Sequence, residues 1–244
     1  MTSSYPRSSQ RPRSRGTPRT PMTETSPEDI LLTEDADLGA LQTKLLENDT
    51  LNYSRDEAAA LCTTLTVLRK NSIPPPMRFS VRTLTLLPPS MSDGVTPTEK
   101  CLEFLSQLSI SSRDAASGLI TSSLVAGRRS EAEDHGDVAF WVGNIDETRL
   151  PDSILERLNV ICPGEMYLLQ NEGGQMLTSL NMINPIELNA SSNLHAAVGL
   201  LAKMEKVVEF RTVISEEDSL VLYICAGTFE GAWCGLMGLS VESD

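Results

Sequence analysis

The chain has 244 residues, a formal net charge of −13, 40% hydrophobic residues and only 5% aromatic ones. That length supports a packed core built on Leu, Val, Ile, Met and Ala. The charge discourages wholesale contact between the body and nucleic acid or anionic lipid, and no apolar run approaches the roughly 18 residues of a membrane-spanning helix. The N-terminus is polar and arginine-rich with no hydrophobic stretch behind it, which excludes a secretory signal, so the sequons at Asn48, Asn52 and Asn189 are read as idle. Five widely spaced cysteines fit free thiols in a reducing compartment, the cytoplasm or nucleus, acting as small hydrophobes.

The charge is divided between two parts. The first 20 residues hold Arg7, Arg11, Arg13, Arg15 and Arg19 and no acidic residue, while the rest holds 15 basic and 33 acidic side chains, a net of −18. Residues 1–28 are rich in Ser, Thr, Pro and Arg without apolar periodicity, so a disordered arm is expected. Arginine forks bind phosphate bidentately at any cellular pH. The arm therefore suits RNA or DNA backbone, an anionic membrane surface or a nuclear-import receptor. Thr17, Thr20 and Ser26, each followed by proline, are candidate phosphorylation sites at which added charge would cancel the arginines.

Order is expected from about Ile30. Leu38, Leu41 and Leu45 stand at helical spacing, and Ser54-Arg55-Asp56-Glu57 is a capping box for a helix with Ala58, Leu61, Leu65 and Leu68 on one stripe. Asn71 and Pro74-Pro75-Pro76 stop it. From Met77 the period changes to two, with Phe79 and Val81 in phase and a slip to Leu84 and Leu86 read as a bulge. Thr96-Pro97-Thr98-Glu99 predicts a second capping box, followed by Cys101, Phe104, Leu105 and Leu108 on one face. Ser111 or Ser112 predicts the cap of a further helix to about Gly127, and Arg128 to Asp137 an exposed charged loop.

Strands are expected over 138–143, 160–169 and 176–183, with a hairpin turn at Asn171-Glu172-Gly173-Gly174. A helix carrying Leu194, Ala197, Leu201 and Met204 should follow Ser191-Ser192. Alternation then predicts strands through Val208–Ile214, Leu220–Ile224 and Phe229–Val241, with a turn at Ala226-Gly227-Thr228 and core packing for Phe229, Trp233, Met237 and Leu239. Together these define an α+β class: a basic arm (1–28), then one domain (29–244) with a helical middle and mostly antiparallel strands toward the C-terminus.

Chemistry-bearing motifs are scarce. His135 in Glu133-Asp134-His135-Gly136-Asp137 matches no standard metal-ligand spacing, and His195 reads as a surface residue near the start of its helix. No serine or cysteine is placed as a nucleophile and no glycine-rich phosphate loop occurs. No catalytic, cofactor-binding or metal residue is assigned, and the expectation is a non-enzymatic protein without cofactor. Sheet edges or the proline-rich segment 73–89 are second candidates for assembly.

The C-terminal strands carry a resemblance. Glu216-Glu217-Asp218 precedes Leu220-Val221-Leu222-Tyr223-Ile224, and Gly231-Ala232-Trp233-Cys234 closes the pair. With the arm, helical middle and strand-rich end, this resembles the matrix proteins of rhabdoviruses, most closely the plant-infecting type. The likeness covers about 25 residues plus the general organisation; the acidic body and the lack of short proline-rich budding signals depart from many members. The resemblance implies a virion protein that self-associates beneath the envelope, binds nucleocapsid protein or phosphoprotein, contacts the inner leaflet and, in nuclear-replicating members, enters the host nucleus. An RNA-packaging coat protein and a cellular adaptor are the alternative readings.

Overall fold

A computed structural model describes residues 29–74, 76–89, 96–119, 121–127, 134–169 and 192–242. Its centre is an eight-stranded sheet: β1 (Asp29–Leu32), β2 (Met77–Ser80), β3 (Thr85–Leu87), β4 (Val138–Gly143), β5 (Met166–Leu168), β6 (Glu205–Ser215), β7 (Leu220–Phe229) and β8 (Ala232–Val241). The spatial order is β1-β2-β3-β4-β8-β7-β6-β5. Only β3 and β4 pair in parallel, and every other neighbour is antiparallel. The class is the expected α+β, with the long strands toward the C-terminus.

Helices cover both faces. On one face, the leucine stripes of α1 (Asp35–Glu47) and α2 (Arg55–Lys70) and the apolar side of α4 (Leu150–Leu158) pack on Phe79, Phe140, Leu222, Trp233, Met237 and Leu239. On the other, α3 (Glu99–Gly118) and α5 (Ser192–Leu201) pack on Trp141, Val221, Tyr223, Cys225 and Leu236. Strand β7 shows why both layers are needed. Leu220, Leu222 and Ile224 face one layer and Val221, Tyr223 and Cys225 the other, so its apolar run is buried on both sides.

Several expectations hold at the level of single atoms. The Ser54 hydroxyl accepts from the Glu57 amide at 3.2 Å while Glu57 accepts from the Ser54 amide at 2.8 Å, and Ala58, Leu61, Leu65 and Leu68 are buried. Others are corrected. The strand following Met77 does not bulge: residues 81–84 turn, Leu84 takes φ 54°, and β2 and β3 form a hairpin. The α3 cap is Thr98, whose hydroxyl accepts from the Cys101 amide at 3.1 Å, rather than Thr96. No second helix starts at Ser111 or Ser112, because α3 runs unbroken to Gly118 and Ser112 lies on its buried stripe with Cys101, Leu105, Leu108 and Ala115.

Of the expected strand at 160–169, only Met166–Leu168 pairs as a strand, and Val160 makes a single bridge to Ser72. A nine-residue helix, α4, precedes it, where sequence periodicity gave no helix. The expected turn at Ala226-Gly227-Thr228 is strand. The reversal comes at Glu230 and Gly231, with φ of 51° and 79°, the positive values a two-residue type I′ loop requires. Phe229 accordingly belongs to β7 and packs toward α3, whereas Trp233, Met237 and Leu239 are core on the opposite face. The strand at 176–183 and the turn at 171–174 lie outside the described residues.

Candidate functional site

The 134–137 segment, expected as an exposed loop, is a structural pin in its described part. Gly136 donates its amide to Ala60 O at 3.0 Å and accepts from the Thr64 hydroxyl at 2.7 Å, docking the entry of β4 on α2. His135 and Asp137 are buried. Burial holds the His135 imidazole below its usual pKa against the opposing charge of Asp134. Its Nδ1 has no hydrogen-bond partner among the described residues.

Asp137 accepts from the hydroxyls of Ser112 and Ser123, the latter at 2.6 Å, and from the amides of Leu124 at 2.7 Å and Val125 at 3.4 Å. Burial pushes its carboxyl above the usual range, and these four donors oppose the shift. Gly238 on β8 leaves room for the cluster. A Cβ there would lie 2.3 Å from Ser123 Oγ and 2.7 Å from Asp137 Oδ1.

Beside this cluster a cleft of about 410 Å³ opens between α2, α3 and the 134–137 segment, with Tyr53, Glu57, Arg113, Ser117 and Asp137 on its walls. Arg113 on its wall is held by its own fold. Nη1 donates to Leu51 O at 2.7 Å, Nε and Nη2 to Asp114 at 2.9 and 2.7 Å, and the guanidinium lies 4.5 Å from the Tyr53 ring centre. Glu57 stands 3.7 Å from Arg113 and also caps α2. Burial raises the Tyr53 hydroxyl to about 12. Arg113 is thus turned to Glu57 and Asp114, an arrangement that ties α3 to α2, while Asp137 is turned to neutral donors. Among the described residues no group of three His, Cys, Asp or Glu side chains could hold a metal ion.

A second feature is the far sheet edge. In β5, Met166, Tyr167 and Leu168 are 36%, 50% and 62% exposed. This short strand carries apolar side chains at the sheet margin.

The sequence-expected site residues Arg7, Arg11, Arg13, Arg15, Arg19, Thr17, Thr20 and Ser26 lie outside the described residues. His195 is exposed in α5, as expected. All five cysteines are free thiols and four are buried. Segment 73–89, a candidate for assembly, instead supplies β2 and β3 inside the sheet. Sequence reasoning missed Asp137 because its local setting is charged; the available signal was Ser112 standing in phase with the α3 stripe, a polar group that needs a buried partner. Among the described residues no helix is long and apolar enough to cross a membrane. Searches against protein-family models and against curated proteins find no match.

Proposed function

We propose that the protein is a non-catalytic structural protein of the viral matrix type. Its acidic α+β body gathers copies of itself and binds a nucleocapsid protein or phosphoprotein. Its arginine arm engages a polyanion, the inner-leaflet surface or RNA, or an import receptor. The observation that carries this reading is the segregation of charge: five arginines without an acid in the first 20 residues, against a net of −18 in the remainder. Such a division leaves the body soluble and confines attraction for polyanions to one short segment. Five phosphate contacts give modest, salt-sensitive affinity, so firm attachment requires many arms acting together. The apolar β5 margin, with Tyr167 half exposed, supports protein contact by the body.

The test is co-sedimentation of the full chain and of residues 29–244 with phosphatidylserine liposomes and with isolated nucleocapsids at low salt, together with light scattering. The expected result is pelleting that depends on residues 1–28 for liposomes, and self-association that does not. A monodisperse monomer that pellets with neither sinks the proposal.

A further inference from the structure

Strand β4 carries Trp141 into the α3/α5 layer, where the residue is 1% exposed. Its Nε1 is buried and has no hydrogen-bond partner among the described residues. A buried donor left unpaired forfeits its hydration without compensation, so this indole calls for an acceptor. Trp141 lies on the wall of a pocket of about 170 Å³, together with Thr98, Asn144, Phe229 and Glu230. The ring edge nearer Nε1 borders the end of β4: a Cβ on Gly143 would stand 3.0 Å from Cη2 and 3.2 Å from Cζ2, against 3.6 Å from Cζ3. Asn144, the next residue, is part of the pocket wall, so the donor edge of the indole and the pocket adjoin there.

The remaining walls define what fits. Glu230 accepts from Lys100 Nζ at 2.6 Å and from the Thr98 hydroxyl at 2.7 Å. These two donors hold its carboxyl below the usual range, so it is ionised at neutral pH. An anion in the pocket meets this carboxylate, and a cation offers the indole no acceptor. A neutral group with a carbonyl oxygen for Nε1 and an N–H for Glu230 serves both. Pro97 and Phe229, the latter stacked on Phe104 with ring centres 4.0 Å apart, supply apolar surface for a short stem. A water molecule occupies about 30 Å³ in the liquid, so the pocket admits a group of about four or five heavy atoms.

We propose that this pocket is a binding site for a primary carboxamide, whose carbonyl oxygen accepts from Trp141 Nε1 and whose nitrogen donates to Glu230. A free small amide and the glutamine side chain of a protein partner present the same group. The site involves neither the arm nor the β5 margin, and it stands independently of the structural role proposed above.

The experiment titrates the isotope-labelled full chain with acetamide, acetate and acetamidinium, a neutral, an anionic and a cationic probe of equal size. NMR follows the indole N–H resonances of Trp141 and of Trp233, which lies in the opposite layer. The expected result is a saturable shift of the Trp141 resonance by acetamide in about the millimolar range, as so small a ligand allows. Trp233 should not move, and acetate and acetamidinium should bind at least about tenfold more weakly. Trp141→Phe identifies the Trp141 resonance by its loss. Glu230→Gln removes the charge that excludes anions and should bring acetate close to acetamide. N-acetylglutamine methylamide separates the sources: saturation below the acetamide concentration assigns the group to a protein partner, saturation above it to a free amide. A shift that never saturates, which leaves solvent alone in the pocket, overturns the proposal, as does an equal response to all three probes. Where the phenylalanine variant does not fold, the selectivity of the wild-type chain and its change in Glu230→Gln decide the matter.

Discussion

Asp137 occupies a place where a carboxylate is costly, and it is kept there by two hydroxyls and two amides. Its folded pKa lies above 3.8, so below that value its contribution to stability is complete, and it is lost as pH rises through the folded pKa. Asp137→Asn replaces one acceptor oxygen by a donor facing donors and should lower the unfolding free energy by about 1–3 kcal/mol near pH 4. Relative to the asparagine variant, the wild-type advantage should shrink as pH is raised toward 7, as read from urea midpoints of both proteins. An advantage that grows with pH instead means that the carboxylate is ionised throughout and that the hydrogen bonds prevail over burial. The cluster also explains one glycine: at Gly238 any side chain would press on Ser123 and Asp137.

Single elements show how local rules met tertiary demands. The α2 capping box and stripe were legible because both lie within one helix and depend on spacing alone. Helix α4 was not recognised: Leu150, Ile154, Leu155 and Leu158 stand at helical spacing, but over only nine residues, which is barely two turns. Strand β1 was also hidden, since four residues carry little alternation, and it is held by a side-chain pair distant in sequence. Arg78 Nη2 lies 2.7 Å from Asp29 Oδ2, with the two side chains 10% and 5% exposed. Asp29→Ala leaves the guanidinium buried without that partner and should cost about 3–5 kcal/mol, whereas replacing the pair together by Leu and Met should cost far less. A double-mutant cycle in urea measures this. A paired variant whose loss equals the sum of the two single losses would show that the ion pair contributes nothing to anchoring the edge.

Over the whole molecule, charge and topology act separately. The sheet places the acidic body's apolar surface in two layers and leaves the β5 margin at one edge and β1, directly following the arm, at the other. If polyanion contact resides in the arm, as proposed, salt should weaken binding of single-stranded RNA with a log–log slope near −3.5 when all five arginines neutralise phosphates. Fluorescence anisotropy between 50 and 300 mM salt reads the slope. A slope that is unchanged on deleting residues 1–28 would move the binding surface onto the body.

From composition and periodicity alone came the charge division, the α+β class, the α2 cap, the stripe opening α3 and the C-terminal alternation. These depend on residue type and near-neighbour spacing, which the chain carries with it before folding. Tertiary structure alone decided that α3 is one helix, that β3 joins β4 in parallel, and that His135 and Asp137 are buried. Each of those depends on what a distant segment places opposite: Ser112 stays helical because Asp137 receives its hydroxyl, and a polar residue's burial follows from its partner, not from its neighbours in sequence.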